Sequence, residues 1–252
     1  MGKANPARER KLIMHLNSST ALVTGAGRGI GRAFVDELLA RGATKVYATA
    51  RDDSSVIRGP RVVPMALDIT DTEAVDHAAS IAGDVDVLIN NAGLSTLAPL
   101  ATGAPEDIRR EMEINYFGTL AMVRAFAPIL AGNGGGSILN VSSVMSWLGM
   151  EHSGSYGASK AAVWSMTNSL RIELSGQNTQ VTGLHMASTD TDMMSGFDVP
   201  KNTPHAVAAA ALDGLEVGDL EILADDDTRS AKANLSGDPA EVYSQAVRHR
   251  LP

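Results

Sequence analysis

The chain of 252 residues has no cysteine, so disulfide scaffolds, thiolate nucleophiles and Cys-ligated zinc are excluded, and a reducing compartment stays open to it. Nor is there a surplus of positive charge. Its 21 Lys and Arg stand against 29 Asp and Glu, a formal net charge of -8, and no domain-wide field exists to attract a phosphate backbone or an anionic bilayer. Nucleic acid and membrane surfaces are therefore not expected partners. Long apolar runs are missing too: the longest, 206–212, is seven residues, far below the ~18 that a bilayer span requires. At the N-terminus Lys3, Arg8, Arg10 and Lys11 precede Leu12-Ile13-Met14, and His15 and Asn17 end that stretch before it reaches signal-peptide length. The chain reads as soluble and cytoplasmic. None of its six His pairs with a carboxylate at metal-ligand spacing, so no metal is expected.

What is present has the make-up of an ordinary globular domain, 44% hydrophobic and 20% charged, with 24 Gly punctuating short runs of Val, Ile and Leu. The runs at 21–23, 45–50, 62–67, 85–90, 137–141, 180–186 and 221–223 are continuously apolar rather than alternating, as strands covered on both faces are. Between them apolar residues fall at helical spacing, for example Phe34, Leu38 and Leu39, or Ala74, Val75, Ala78 and Ile81. This βαβ rhythm predicts an α/β fold, a parallel sheet with helices on both faces. Residues 1–17 read as a flexible N-terminal extension and 18–252 as a single domain, since no composition shift divides them. The stretches 114–130 and 156–174 are apolar around much of their circumference, which predicts self-association through them.

Directly after the first run comes Thr24-Gly25-Ala26-Gly27-Arg28-Gly29-Ile30-Gly31, and helical spacing follows. A strand, a glycine-rich turn and a helix start gather unpaired N–H groups around one point, where the helix dipole also favours negative charge. A pyrophosphate fits there, and the glycines keep side chains out of its way. The second run ends at Ala50-Arg51-Asp52-Asp53. An acid at this strand end would bond the adenosine ribose, whereas an arginine can pair with a 2′-phosphate. Arg51 comes first and Arg28 is a second cation for the same corner, so NADP(H) is expected over NAD(H), with Asp52 and Asp53 pulling the other way.

Further along stand Asp68-Ile69, Asn90-Asn91-Ala92-Gly93, Asn115, Ser143 and Tyr156-Gly157-Ala158-Ser159-Lys160. With the glycine turn, these signatures resemble, in order and spacing, those of the short-chain dehydrogenase/reductase family in its branch of about this length, over residues 20–191. The resemblance implies a single-domain, doubly wound (Rossmann-type) parallel sheet of seven strands in the order 3-2-1-4-5-6-7, with ligands at the carboxyl ends of the strands. It also implies that Asp68 bonds the adenine amino group beside Ile69, and that Asn91, Ala92 and Gly93 line the cofactor. Thr189 and Thr191 are implied contacts to the nicotinamide amide. Where family members carry Pro-Gly after the sixth strand, this chain has Met186-Ala187, and a looser start to the substrate flap, 193–203, is expected. Asp225-Asp226-Asp227 reads as a solvated turn.

Tyr156 and Lys160 are four apart at a helix start and so share one face. A free phenol has a pKa of about 10, and a neighbouring ammonium together with an oxidised nicotinamide favours the phenolate, which brings Tyr156 toward general acid/base work. Ser142 and Ser143 are rivals for polarising the substrate oxygen. The resemblance selects Ser143 and implies that Asn115 holds a water beside Lys160. Leu94, Met145, Trp147, Met150, His152, Ser153 and Phe197 are candidates to face the substrate, a largely apolar set that points to a hydrophobic carbonyl or alcohol. The expected protein is an NADP(H)-dependent oxidoreductase acting on a ketone, aldehyde or secondary alcohol, assembled as a homodimer or homotetramer. Its rivals are a redox sensor that holds the cofactor without turnover, and a nucleotide-sugar epimerase or dehydratase, for which the region after Thr191 is small.

Overall fold

Runs that are apolar on both faces need cover on both sides, and each becomes one strand of a single sheet in the computed structural model, which describes residues 14–243. The chain runs β1 (Thr20–Val23), α1 (Gly29–Ala40), β2 (Lys45–Ala50), β3 (Val62–Ala66), α2 (Thr72–Ile81) and β4 (Val87–Asn90). There follow α3 (Pro105–Met112), α4 (Thr119–Gly132), β5 (Gly136–Val141), α5 (Gly154–Glu173), β6 (Thr179–His185), α6 (Pro204–Glu216), β7 (Glu221–Leu223), α7 (Asp226–Ala233) and α8 (Pro239–Val242). Every pairing is parallel, in the order β3-β2-β1-β4-β5-β6-β7. The order reverses between β1 and β4, and such a switch point opens a crevice at the carboxyl ends of the strands.

Two cores lie against the sheet. One joins Phe34, Val35 and Leu38 of α1 with Val207, Leu212 and Leu215 of α6; the other joins Val75 of α2, Met122 and Phe126 of α4, and Val163 and Leu170 of α5. Helix starts are held by short polar side chains: Asp71 accepts from the Glu73 and Ala74 amides at α2, and Thr203 accepts from Ala206 at α6, whose first residue is Pro204.

Two expectations shift. Leu16 is fully buried in the first core, so the domain begins before residue 18; residues 1–13 of the expected extension lie outside the described residues. The helix expected from 114 starts earlier, at Pro105, and continues to Gly132 through a π-helical turn, Glu113–Gly118. This helix is long and apolar enough by length and composition to cross a membrane, yet Met122, Val123, Phe126 and Leu130 are buried against the sheet.

Asp86, just ahead of β4, accepts from the Thr20 amide at 3.1 Å. Burial pushes its carboxyl up to about 6, with Asp84 adding to the effect. The group is thus easier to ionise in the unfolded chain, and its contribution to folding is fully present below about pH 4 and lost as pH rises through 6. Asp86→Asn keeps the acceptor and removes the charge. Urea unfolding at pH 7.5 is expected to show a gain of about 1 kcal/mol, the shift being discounted for the solvent that screens a half-buried carboxyl, and the gain should vanish at pH 4; an unchanged midpoint at pH 7.5 would refute it.

Candidate active site

The crevice at the strand ends is a cleft of about 520 Å³ that runs from Arg51 and Asp68, past the glycine turn, to Tyr156 and Lys160. Gly25 and Gly29 sit at φ 66° and 53°, backbone that residues with a Cβ rarely adopt. At Gly31 a Cβ would lie 2.1 Å from the Gly25 carbonyl, so the turn closes only around hydrogen there. Helix α1 begins at Gly29 with no side-chain cap among the described residues and no acid in its first turn. Its free N–H groups and positive dipole end face the cleft, which suits a pyrophosphate. The β4 end is tied to this turn: Thr24 Oγ1 accepts from the Asn91 and Ala92 amides, each at 3.0 Å, and Asn91 Nδ2 donates to the Thr24 carbonyl at 2.9 Å.

Every residue expected to touch the cofactor lines this cleft except Thr189. Thr189 is buried, its hydroxyl on the Ala187 carbonyl and its backbone bridged to Asn202. Arg28 lines the cleft, and its guanidinium pairs with Asp192, just ahead of the flap, at 2.7 Å. Both partners are mostly exposed, so the pair is weak. Arg51 lies at the adenosine corner, while Asp52 spends a carboxylate oxygen on the Ser54 amide. Asp68 accepts from the Thr70 amide and hydroxyl, which hold its carboxyl below the usual range. Ser55, which sequence reasoning missed, packs over Gly27 and lines the same corner.

Beyond the glycine turn, α5 presents Tyr156 and Lys160 to the cleft on adjacent turns. The Lys160 ammonium is buried, donates to the Val141 carbonyl at 2.9 Å and lies 5.7 Å from the phenol ring centre. Ser142 lines the cleft with its hydroxyl engaged with Ser146 and the Lys160 carbonyl, whereas the Ser143 hydroxyl favours the Tyr156 phenolate. Asn115 sits in the π turn with its side chain clamped to both backbone groups of Leu94 and to Ser159. A Cβ on Gly93 would lie 3.2 Å from Asn115 Oδ1 and 3.5 Å from Lys160 Nζ; the missing side chain keeps that gap open.

The protein's own surroundings hold the proton on Tyr156. Burial pushes the phenol up to about 12, opposed by the Ser143 hydroxyl and reinforced by the negative charge of Glu111. Burial also pushes Lys160 down to about 8. Desolvation is the largest influence on both groups, and it keeps the phenol protonated. Glu111 was not foreseen: it is fully buried, binds the Thr96 amide and hydroxyl through Oε1, and Oε2 has no hydrogen-bond partner among the described residues. Its run of charged neighbours, Glu106 to Glu113, reads as a solvated face, and the only hint was its place four residues before Asn115.

Two further expectations change. Trp147 is not among the residues lining the cleft; its ring stacks on His185 at 4.2 Å and meets Trp164 edge-on. The start of the flap is not loose, because Asp225 Oδ2 accepts from the Ala187 amide at 2.8 Å and from Asn202 Nδ2 at 2.7 Å. Asp225 thus clamps both ends of the flap while Oδ1 caps α7 at Thr228. Only Asp226 and Asp227 of that acidic run are left as solvent-side charges. Leu94 and Met193 line the cleft, and Met150 and Phe197 are exposed hydrophobic residues in the neighbouring loop and flap.

The profile of the short chain dehydrogenase family matches residues 19–201. A sorbitol dehydrogenase of Cereibacter sphaeroides is 36% identical over 195 residues, which cover 73% of this chain and 76% of that one. Among solved structures, a short chain dehydrogenase from Burkholderia cenocepacia J2315 in complex with NADP superposes with a TM-score of 0.89 at 39% identity, over 93% of this chain and 99% of the other. A short-chain dehydrogenase from Sphingobium yanoikuyae in complex with NADPH gives 0.76 at 25% identity, over 93% and 96%.

The matched span stops at residue 201, just before Asn202 and Asp225 complete the clamp on the flap. Asp225→Ala leaves the Ala187 amide and the α7 start unpaired, and a lost cap alone costs about 1 kcal/mol. Limited proteolysis is expected to cut the variant within 188–202 well before wild type; equal cleavage rates would show that the flap does not depend on this carboxylate.

Proposed function

This chain belongs to the short-chain dehydrogenase/reductase family, and on that footing we propose that it transfers a hydride between NADP(H) and a ketone, aldehyde or secondary alcohol. The observation that carries the proposal is convergence: the Tyr156 phenol and the buried Lys160 ammonium line one end of a cleft, with Ser143 acting on the phenol, and the other half of the cleft is an uncapped helix start ringed by glycine. A cofactor-holding sensor needs the second half and has no use for the first.

A nicotinamide dinucleotide bound in the cleft supplies the hydride in reduction and accepts it in oxidation. The residues do the rest. The Ser143 hydroxyl, its oxygen fixed by the Met145 amide at 3.1 Å, orients and polarises the substrate oxygen. Tyr156 donates its proton to that oxygen as the alcohol forms, and its high pKa keeps the proton in place until then. Lys160, poised near 8, returns a proton to the phenolate. The gap beside Gly93 gives room for a water between Asn115 and Lys160 and so a path to solvent. Alcohol oxidation reverses these transfers and needs the phenolate, which is costly beside the buried Glu111.

Arg51 at the adenosine corner supports NADP(H), as does the local engagement of Asp52; the Burkholderia and Sphingobium relatives both hold the phosphorylated cofactor. The apolar residues at the inner end, Leu94, Met186 and Met193, with Met150 and Phe197 nearby, favour a hydrophobic substrate. Phe117 and Ile172 leave large apolar side chains exposed on the π turn and α5, which supports a homodimer or homotetramer through these helices. The reading places the enzyme in the cytoplasm.

A panel of ketones, aldehydes and alcohols, followed by nicotinamide absorbance, tests the proposal, with NADPH expected to outperform NADH and Arg51→Ala to erase the difference. Tyr156→Phe is expected to lower kcat about 10²–10⁴-fold while NADPH binding, read by fluorescence, persists; near-normal turnover would place the proton donor elsewhere. Glu111→Gln removes the charge that raises the phenol, so the rise of alcohol oxidation with pH should move to lower pH. An unmoved profile would show that Glu111 does not act on Tyr156.

A further inference from the structure

His185 ends β6 directly beneath the catalytic serine and takes no part in the hydride and proton transfers. It is fully buried, and its Nδ1 lies 3.2 Å from the Ser143 carbonyl oxygen. A carbonyl only accepts, so Nδ1 carries the hydrogen and Nε2 is the bare nitrogen. Nε2 accordingly has no hydrogen-bond partner among the described residues, and it faces another acceptor, Glu221 Oε1 at 3.8 Å. Trp147 stacks on the ring at an interplanar angle of 20°. Lys232 lies over both Trp147 and Trp164 and pairs with Glu221 at 2.7 Å, while Trp164 Nε1 donates to the same carboxylate.

The peptide on the carboxyl side of Ser143 is thereby gripped from several sides. Its carbonyl accepts from His185 and from the Ser146 amide at 3.1 Å, and its N–H, on Val144, donates to the Met186 carbonyl at 2.9 Å. We infer that His185 is a positioning residue for the hydride-transfer site: its ring, aligned by Trp147 and the Glu221–Lys232 pair, fixes the Ser143 peptide and through it the Ser143 hydroxyl. This rests on the oxidoreductase reading for its effect on rate, though not for its geometry. The imidazole is suited to a fixed donor because burial, the largest influence, pushes it down to about 4; Lys232 and Lys160 push the same way, against the Ser143 carbonyl and Glu221. It stays neutral at working pH.

Two full-length variants separate the hydrogen bond from the packing. His185→Phe keeps a flat ring against Trp147 and removes the donor; His185→Asn restores a donor near the place of Nδ1 and gives up the ring. The expected result is a fall of about tenfold in kcat for His185→Phe, the loss of one buried hydrogen bond, with KM for NADPH unchanged and recovery in His185→Asn. Independently of turnover, the ζ-carbon resonance of labelled Tyr156, identified by its absence in Tyr156→Phe, should move in His185→Phe and return in His185→Asn. The ¹⁵N spectrum of wild type should show an Nδ1–H imidazole, assigned by its loss in either variant, that does not titrate between about pH 5 and 8.

An Nε2–H tautomer overturns the inference, as does an unmoved Tyr156 resonance in both variants. Equal losses of kcat in the two would assign the effect to packing and also overturn it. Should His185→Phe fail to fold, the wild-type tautomer and the Asn variant still decide. A wild-type protein that turns over none of the panel defeats the proposed function instead, and the two spectra then judge His185 alone.

Discussion

The site depends on one buried amine. Lys160 brings an ammonium to the end of β5 where it is largely withdrawn from bulk water, and taking such a charge out of water is expensive unless partners meet it. The Val141 carbonyl is its one hydrogen-bond acceptor among the described residues, and the chain lowers the remaining cost by letting the group lose its proton more easily than a free lysine does. The phenol beside it bears the opposite consequence of the same burial and holds its proton more tightly. Two groups whose proton affinities are shifted by one dry environment make a short transfer path.

That environment exists because the sheet delivers three loop starts to one place. The β1 turn supplies N–H groups, the β4 end supplies the Asn91–Gly93 wall, and the β5 end supplies Ser143. Side chains stitch these together beneath the cleft: Asn90 bonds Asn140, which bonds Thr167 of α5, all of them buried. A polar ladder of this kind is stable only when its members are paired, and it sets the height of α5 against the strands. Tyr156 and Lys160 are held by that ladder together with the contacts of Lys160 to the end of β5.

Much of this was legible in the sequence because it is local. Strands buried on both faces announce themselves as apolar runs, the glycine turn is a backbone requirement written in residue type, and Tyr156 and Lys160 share a face by spacing alone. What escaped was decided by tertiary partners. Arg28 lines the cleft as its place in the glycine turn implied, but its pairing with Asp192, 164 residues on, could not be read locally. Asp225 sat in a run of three acids and gave no hint that it would hold Ala187 and Asn202. Trp147 is apolar near the substrate loop, but a stacking partner from β6 turned it inward. Glu111 carried the charge of a surface residue into the interior, where Thr96 satisfies only half of it.

The π turn at Glu113–Gly118 lets one helix serve two masters. Adding a residue to a helical turn rotates everything before it by about 100° relative to everything after it. The segment carrying Glu111 can therefore look at the reaction centre while Met122 and Phe126 look at the sheet. Part of the centre's layout is then stored in residue count and not in residue identity. A lineage that lost a single codon within this turn would regain a regular helix and forfeit the alignment, although each of its remaining side chains was unchanged.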